Sequence, residues 1–158
     1  LGLGFAAMSL VSEALGRRDP QEASRWAWQT VQIALITVAG VAVVLVSAPA
    51  LVLGIFTDEA AVIDAGVLPL RVLGVVLLAE GVSAVMQNAL TGAGAARKAA
   101  AVSVLSQWGL GLPCAALFGL ALGGGVLGVW LGWSLSRLAA ASVLTAIWAR
   151  GRWTAIKL

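Results

Sequence analysis

Histidine and tyrosine are absent from these 158 residues, and cysteine occurs once, at Cys114. A lone cysteine inside an apolar run forms no internal disulfide, and without histidine the chain lacks the usual zinc ligand and the usual acid–base side chain. Charge is scarce as well. Asp, Glu, Lys and Arg make up 11% of the sequence, whereas about a quarter is ordinary for a soluble domain. So few charges cannot cover a solvent-facing surface. The net charge of +3 does not make a nucleic-acid surface either, because the ten Lys and Arg fall in short clusters between apolar runs rather than in one dense patch. Leu1 is not an initiator, no basic segment precedes it, and Leu1 to Ser12 is too short to span a bilayer. The chain therefore reads as part of a longer one, with residues expected upstream.

What remains is grease. Hydrophobic residues account for 61% of the chain. Trp26 to Thr57 and Ala99 to Ser136 contain no charge, and Val72 to Ala96 contains only Glu80. About 20 apolar residues at 1.5 Å rise cross the hydrocarbon of a membrane, so each run is long enough to span and the last must fold back on itself. The fold class expected is all-α integral membrane, with helices at about 1–15, 20–55, 70–90, 97–122 and 127–148. Gly16 is expected to permit a left-handed end to the first helix, Asp19 and Pro20 to cap and begin the second, and Pro49 and Pro113 to bend their helices. Asp58 to Asp64 reads as a polar connection.

Five alternating crossings place Arg17, Arg18 and Arg25, then Arg97 and Lys98, then Arg150, Arg152 and Lys157 on one side. The other side receives Asp58, Glu59, Asp64 and the uncharged Gly123 to Gly125. The positive-inside rule makes the basic side cytoplasmic, and with it the C-terminus of a multi-pass cell-membrane protein.

Inside the bilayer, Glu80, Ser83, Gln87 and Thr91 are spaced 3, 4 and 4, which at 100° per residue keeps them on one stripe of the third helix. A carboxylate near mid-span must face protein, water or a cation. Two readings stay open at this point: Glu80 serves as a ligand or ion-coupling group, or it is bridged to Arg137 near the middle of the fifth helix. Gln107, with Gln29, Gln32, Ser103 and Ser106, could line a cavity or hydrogen-bond between helices. Gly128, Gly132, Ser136 and Ala140 form a small-residue stripe that admits a close neighbour. No His or Cys cluster and no paired acids face the interior, which argues against an enzyme, and no cofactor or metal is expected.

The ordered landmarks Leu10-Val-Ser-Glu-Ala-Leu-Gly16 with Asp19-Pro20, Ile55-Phe-Thr-Asp58, Leu70-Arg-Val-Leu73, Ala89-Leu-Thr-Gly-Ala-Gly94 and Leu127-Gly-Val-Trp-Leu-Gly132 resemble the C-terminal half of the multidrug and toxic compound extrusion (MATE) transporters. The resemblance covers nearly the whole chain. It implies twelve transmembrane helices in two six-helix lobes, of which this chain supplies the last five, the N-terminal lobe lying elsewhere. It implies export of small organic, often cationic, drugs or toxins in exchange for protons or sodium ions. It also places an acidic residue at Glu80, in the coupling role; the exchange hypothesis built on the polar stripe adds Ser83, Gln87, Thr91 and Gln107 as the lining of the substrate cavity. Departures from the family pattern occur at Glu13, Pro69, Thr91 and Ala95. A flippase for lipid-linked or polysaccharide precursors, of similar architecture, is the alternative; more cavity cations than Arg137 would be expected for it.

Overall fold

The structure, a computed structural model, describes residues 2–151 and 153; Leu1, Arg152 and Lys157 lie outside them. The described residues form six helices: α1 Gly2–Gly16, α2 Pro20–Ser47, α3 Pro49–Gly54, α4 Ala60–Gly92, α5 Ala96–Ala121 and α6 Gly125–Ala149. Four of them, α2, α4, α5 and α6, are long and apolar enough to cross a membrane, whereas α1 has 15 residues. This is a multi-pass membrane bundle.

Close contacts fix the helix directions. Gly4 abuts Ala84 and Asn88, and Gly92 abuts Met8, so α1 and α4 run parallel. Gly81 meets Val38 while Gly74 meets Ala42, Leu45 and Val46, so α2 runs against α4. Gly111 meets Ser136, Gly132 meets Cys114 and Ala115, and Gly128 meets Phe118, so α5 runs against α6. Alternation then brings Arg17, Arg18, Arg25, Arg97, Lys98 and Arg150 to one end of the bundle and Asp58, Glu59 and Asp64 to the other.

The core lies toward the basic end. Ala7, Val11 and Ala14 of α1, Ala23, Ala27, Val31 and Ala34 of α2, and Val85, Met86, Ala89 and Leu90 of α4 recur every three or four residues and pack with Leu144 and Trp148 of α6. Alanine at most α1 and α2 positions lets these helices approach closely. Trp153 seals that end: its indole stacks on Trp148 with centroids 4.2 Å apart and donates Nε1–H to the Trp148 carbonyl at 2.9 Å.

Several expected boundaries differ. The helix expected over 20–55 breaks at Ala48, whose φ of −130° lies outside the helical region, because Pro49 disfavours helical backbone before it; Pro49 then begins α3. The helix expected over 70–90 begins ten residues earlier, at Ala60, and so absorbs Asp64 and Pro69. Glu59 caps it with its carbonyl, which accepts from Val62 and Ile63 at 3.1 Å each, and Leu53 of α3 packs on Gly66. That contact gives the polar first turns a partner, so one missing N–H at Pro69 does not end the helix.

The left-handed residue after α1 is Arg18, with φ +60°, rather than Gly16. Arg18 N–H donates to the Leu15 carbonyl at 2.9 Å and Asp19 N–H to Ala14 at 3.0 Å, the reciprocal pair that closes a helix end. Gly94 closes α4 in the same way, with Gly94 N–H on Thr91 and Ala95 N–H on Leu90. Asp19 caps α2 as expected, its Oδ1 accepting from the Gln21 and Glu22 amides at 3.0 and 2.9 Å.

Pro113 does not simply kink α5. Leu105–Gly111 and Leu117–Ala121, on either side of Leu112–Ala116, are π-helical. Leu112 N–H reaches back to Gln107, so the ladder is already offset by one residue when proline removes a donor.

Candidate functional site

Glu80 and Arg137 meet at the seam between α4 and α6. Arg137 Nη2 donates to Glu80 Oε2 at 3.1 Å, and Nε lies 2.5 Å from Oε1 without its N–H aligned on that oxygen. The arginine side chain is 18% exposed and the glutamate 35%, so the glutamate is only partly enclosed. Trp133, one turn earlier on α6, presents its ring to the guanidinium with Cζ 5.7 Å from the centroid.

Helix packing explains why the pair forms. α4 and α6 run parallel, and the buried residues Met86, Leu90, Leu144 and Trp148 pack between them, which sets Glu80 level with Arg137 one to two turns away. An unpaired arginine or carboxylate at mid-helix costs several kcal/mol in a membrane, about 2.5–3.5 for arginine on insertion scales, and pairing cancels the net charge. Of the two readings left open by the sequence, the bridge to Arg137 is the one formed in the structure.

The neighbouring polar residues divide. Ser83, one turn from Glu80, is 3% exposed, and its hydroxyl has no hydrogen-bond partner. Gln87 is half-buried on the same stripe. Thr91 donates its hydroxyl to the Gln87 carbonyl at 2.9 Å, so it is occupied within its own helix. Gln107 is exposed on the first π-helical stretch of α5 and is not gathered with the α4 stripe. Ser103 and Ser106 bond backbone carbonyls of α5, at 3.2 and 3.1 Å, rather than a second helix, because a hydroxyl reaches the preceding turn more readily than a neighbour. Gln29 and Gln32 line a cleft of about 290 Å³ between α1 and α2, with Leu3, Leu10 and Trp26 among its other walls.

Among the described residues no group of three or more His, Cys, Asp or Glu side chains converges as a metal centre. The small-residue stripe of α6 carries the α5 contact: a Cβ on Gly132 would come within 2.6 Å of the Cys114 backbone, and one on Gly128 would overlap the Phe118 carbonyl. Two features had weak signals in sequence. Arg18 is one of several arginines in a turn, and Trp153 is an aromatic set beyond the last helix, with nothing local to give either a role.

The bundle and its internal ion pair define a polytopic membrane protein with a charged centre inside its apolar span. The MatE family pattern matches residues 1–117, and the chain belongs to that family. The probable multidrug resistance protein NorM of Brucella suis biovar 1 (strain 1330) is 29% identical over 158 residues, covering 95% of this chain and 33% of that protein. The corresponding protein of Xanthomonas campestris pv. campestris is 33% identical over 144 residues, covering 91% and 31%. Among solved structures, the eukaryotic MATE transporter AtDTX14 superposes with a TM-score of 0.86 at 23% identity, over 96% of this chain and 34% of its own. A MATE transporter in a bent conformation gives 0.85 at 24%, over 99% and 35%. The chain thus spans about a third of the length of the relatives it matches.

Proposed function

We propose that the chain is part of one lobe of a secondary active efflux transporter, an antiporter rather than an enzyme, which exports organic cations in exchange for protons or sodium ions. The observation that carries the reading is Glu80, a partly exposed carboxylate within the apolar span of α4, beside the polar Ser83 and Gln87. In this reading α1 completes a fifth crossing, a second lobe supplies the opposite wall of the cavity, and the basic end lies in the cytoplasm. The names of the relatives and the length they share with this chain support it.

Exchange at one carboxylate needs no chemistry beyond charge. With the cavity open inward, the carboxylate attracts a cationic guest; with the cavity open outward, a driving ion neutralises or occupies it and the guest leaves. Thr91 and Gln107 would contribute to the cavity only in a state that turns them toward it. The flippase alternative is less well supported, since the intramembrane cation that a pyrophosphate headgroup would need is already matched by Glu80.

In everted membrane vesicles from cells making the protein, Glu80→Gln is expected to abolish ethidium efflux while leaving the amount of inserted protein unchanged. Efflux at the wild-type rate in that variant would discard the reading.

A further inference from the structure

We propose that Arg137 is the resident cation of the Glu80 site, held there when neither guest nor driving ion is bound, and that its fixed charge makes a proton rather than a sodium ion the driving ion. The inference rests on the antiport reading above and names the ion for it.

Three observations carry it. The guanidinium lies against both carboxylate oxygens, so a cation that is to take both of them must displace it. The same guanidinium lies over Trp133, so release from the carboxylate leaves it held on the ring rather than free to withdraw. No other described charged side chain faces Glu80. The sequence of α2 and α3 is uncharged from Trp26 to Thr57, α5 is uncharged from Ala99 onward, α1 carries only Glu13 near its far end, and α6 has no charge before Arg137. Asp64 and Arg71 lie earlier on α4 itself, and the titratable Cys114 packs against Gly132.

These facts separate the two candidate ions. A sodium ion must be coordinated by oxygens at close range, and both carboxylate oxygens are already faced by a guanidinium that cannot shed its own proton. A proton differs in kind. Arriving through the exposed part of the side chain, it forms an O–H bond on Oε2 and replaces the Nη2–H···Oε2 hydrogen bond. The carboxyl becomes neutral, and the guanidinium keeps its protons and its charge over Trp133. The new O–H is a donor, and one turn along the same face the Ser83 hydroxyl is buried without a partner. An organic cation with diffuse charge competes for the ionised carboxylate in the same place, against the same arginine.

The test is equilibrium binding to the full chain in lipid nanodiscs, with radiolabelled tetraphenylphosphonium and radiolabelled sodium as probes. Wild type is expected to show no saturable sodium binding, and tetraphenylphosphonium binding that falls on acidification but is the same in sodium and choline chloride. Arg137→Gln should bind tetraphenylphosphonium about ten-fold more tightly and gain saturable sodium binding, both lost when Glu80→Gln is added. Arg137→Lys retains the charge and should resemble wild type. Sodium binding by wild type that disappears in Glu80→Gln overturns the proposal, whether or not Arg137→Gln folds. So does a folded Arg137→Gln that binds neither probe better than wild type. The antiport reading fails on a separate readout, ethidium efflux that is indifferent to Glu80→Gln.

Discussion

At the residue scale, charge placement governs the behaviour of two arginines in opposite ways. Arg137 sits where an unpaired cation is costly, and its pairing with Glu80 removes that cost at the expense of occupying the one intramembrane carboxylate. Arg18 sits at the surface, where its charge costs nothing but its backbone does, since φ +60° crowds any Cβ. Replacing Arg18 by glycine relieves that crowding and gives the unfolded chain more freedom, two effects of opposite sign. Because left-handed geometry costs a side-chain-bearing residue about 1–2 kcal/mol and added glycine freedom about 0.5–1 kcal/mol, Arg18→Gly is expected to stabilise the protein by up to about 1 kcal/mol. Thermal unfolding in detergent, followed by tryptophan fluorescence, would read this as a raised midpoint; a lowered one would mean the arginine side chain makes up more than its backbone loses.

At the scale of elements, the α5–α6 contact is set by glycine. Gly128 and Gly132 bring the backbone of α6 against Phe118 and Cys114 with no side chain between, and a leucine at Gly132 must push the helices apart. Overpacking of this kind costs about 1–3 kcal/mol or more, so Gly132→Leu is expected to lower thermal stability markedly, while Leu135→Ala on the exposed side of α6 should change it little. Equal effects would show that the stripe does not hold the pair. This contact was legible in sequence, because four small residues at helical spacing leave few other uses. So were the apolar spans, the capped start of α2 and the Glu80–Arg137 pair as one of two readings. The start of α4 was not legible, since Asp64, Pro69 and Arg71 all argue locally against a membrane helix and only packing on α3 reverses them. Neither were the π-helical stretches, which flank Pro113 without any local sequence pattern that marks them, nor Trp153, whose role depends on Trp148 lying under it.

For the whole molecule, the helix directions gather six described cations at one end, alongside Glu13, Asp19 and Glu22, and leave Asp58, Glu59 and Asp64 at the other. The positive-inside rule turns this sorting into an orientation. In a Cys114→Ala background, single cysteines at Lys98 and at Glu59 provide the measurement. A membrane-impermeant maleimide applied to intact cells is expected to label the residue-59 cysteine and to spare the residue-98 cysteine until the cells are opened; the reverse pattern would invert the topology. The described surface also leaves Ile36, Val43, Leu51 and Leu120 exposed on several sides, which suits contact with lipid or with further helices.

The offset ladder of α5 has mechanical meaning. A π-turn holds roughly one residue more than an α-turn, and one residue is about 100° of azimuth. Closing Leu105–Gly111 to ordinary helix would therefore twist one half of α5 against the other. Since Gly128 and Gly132 clamp the later half, the twist would emerge at Ala96–Val104, swinging Arg97 and Lys98 around the axis and turning the buried Ala99 within the core it packs in.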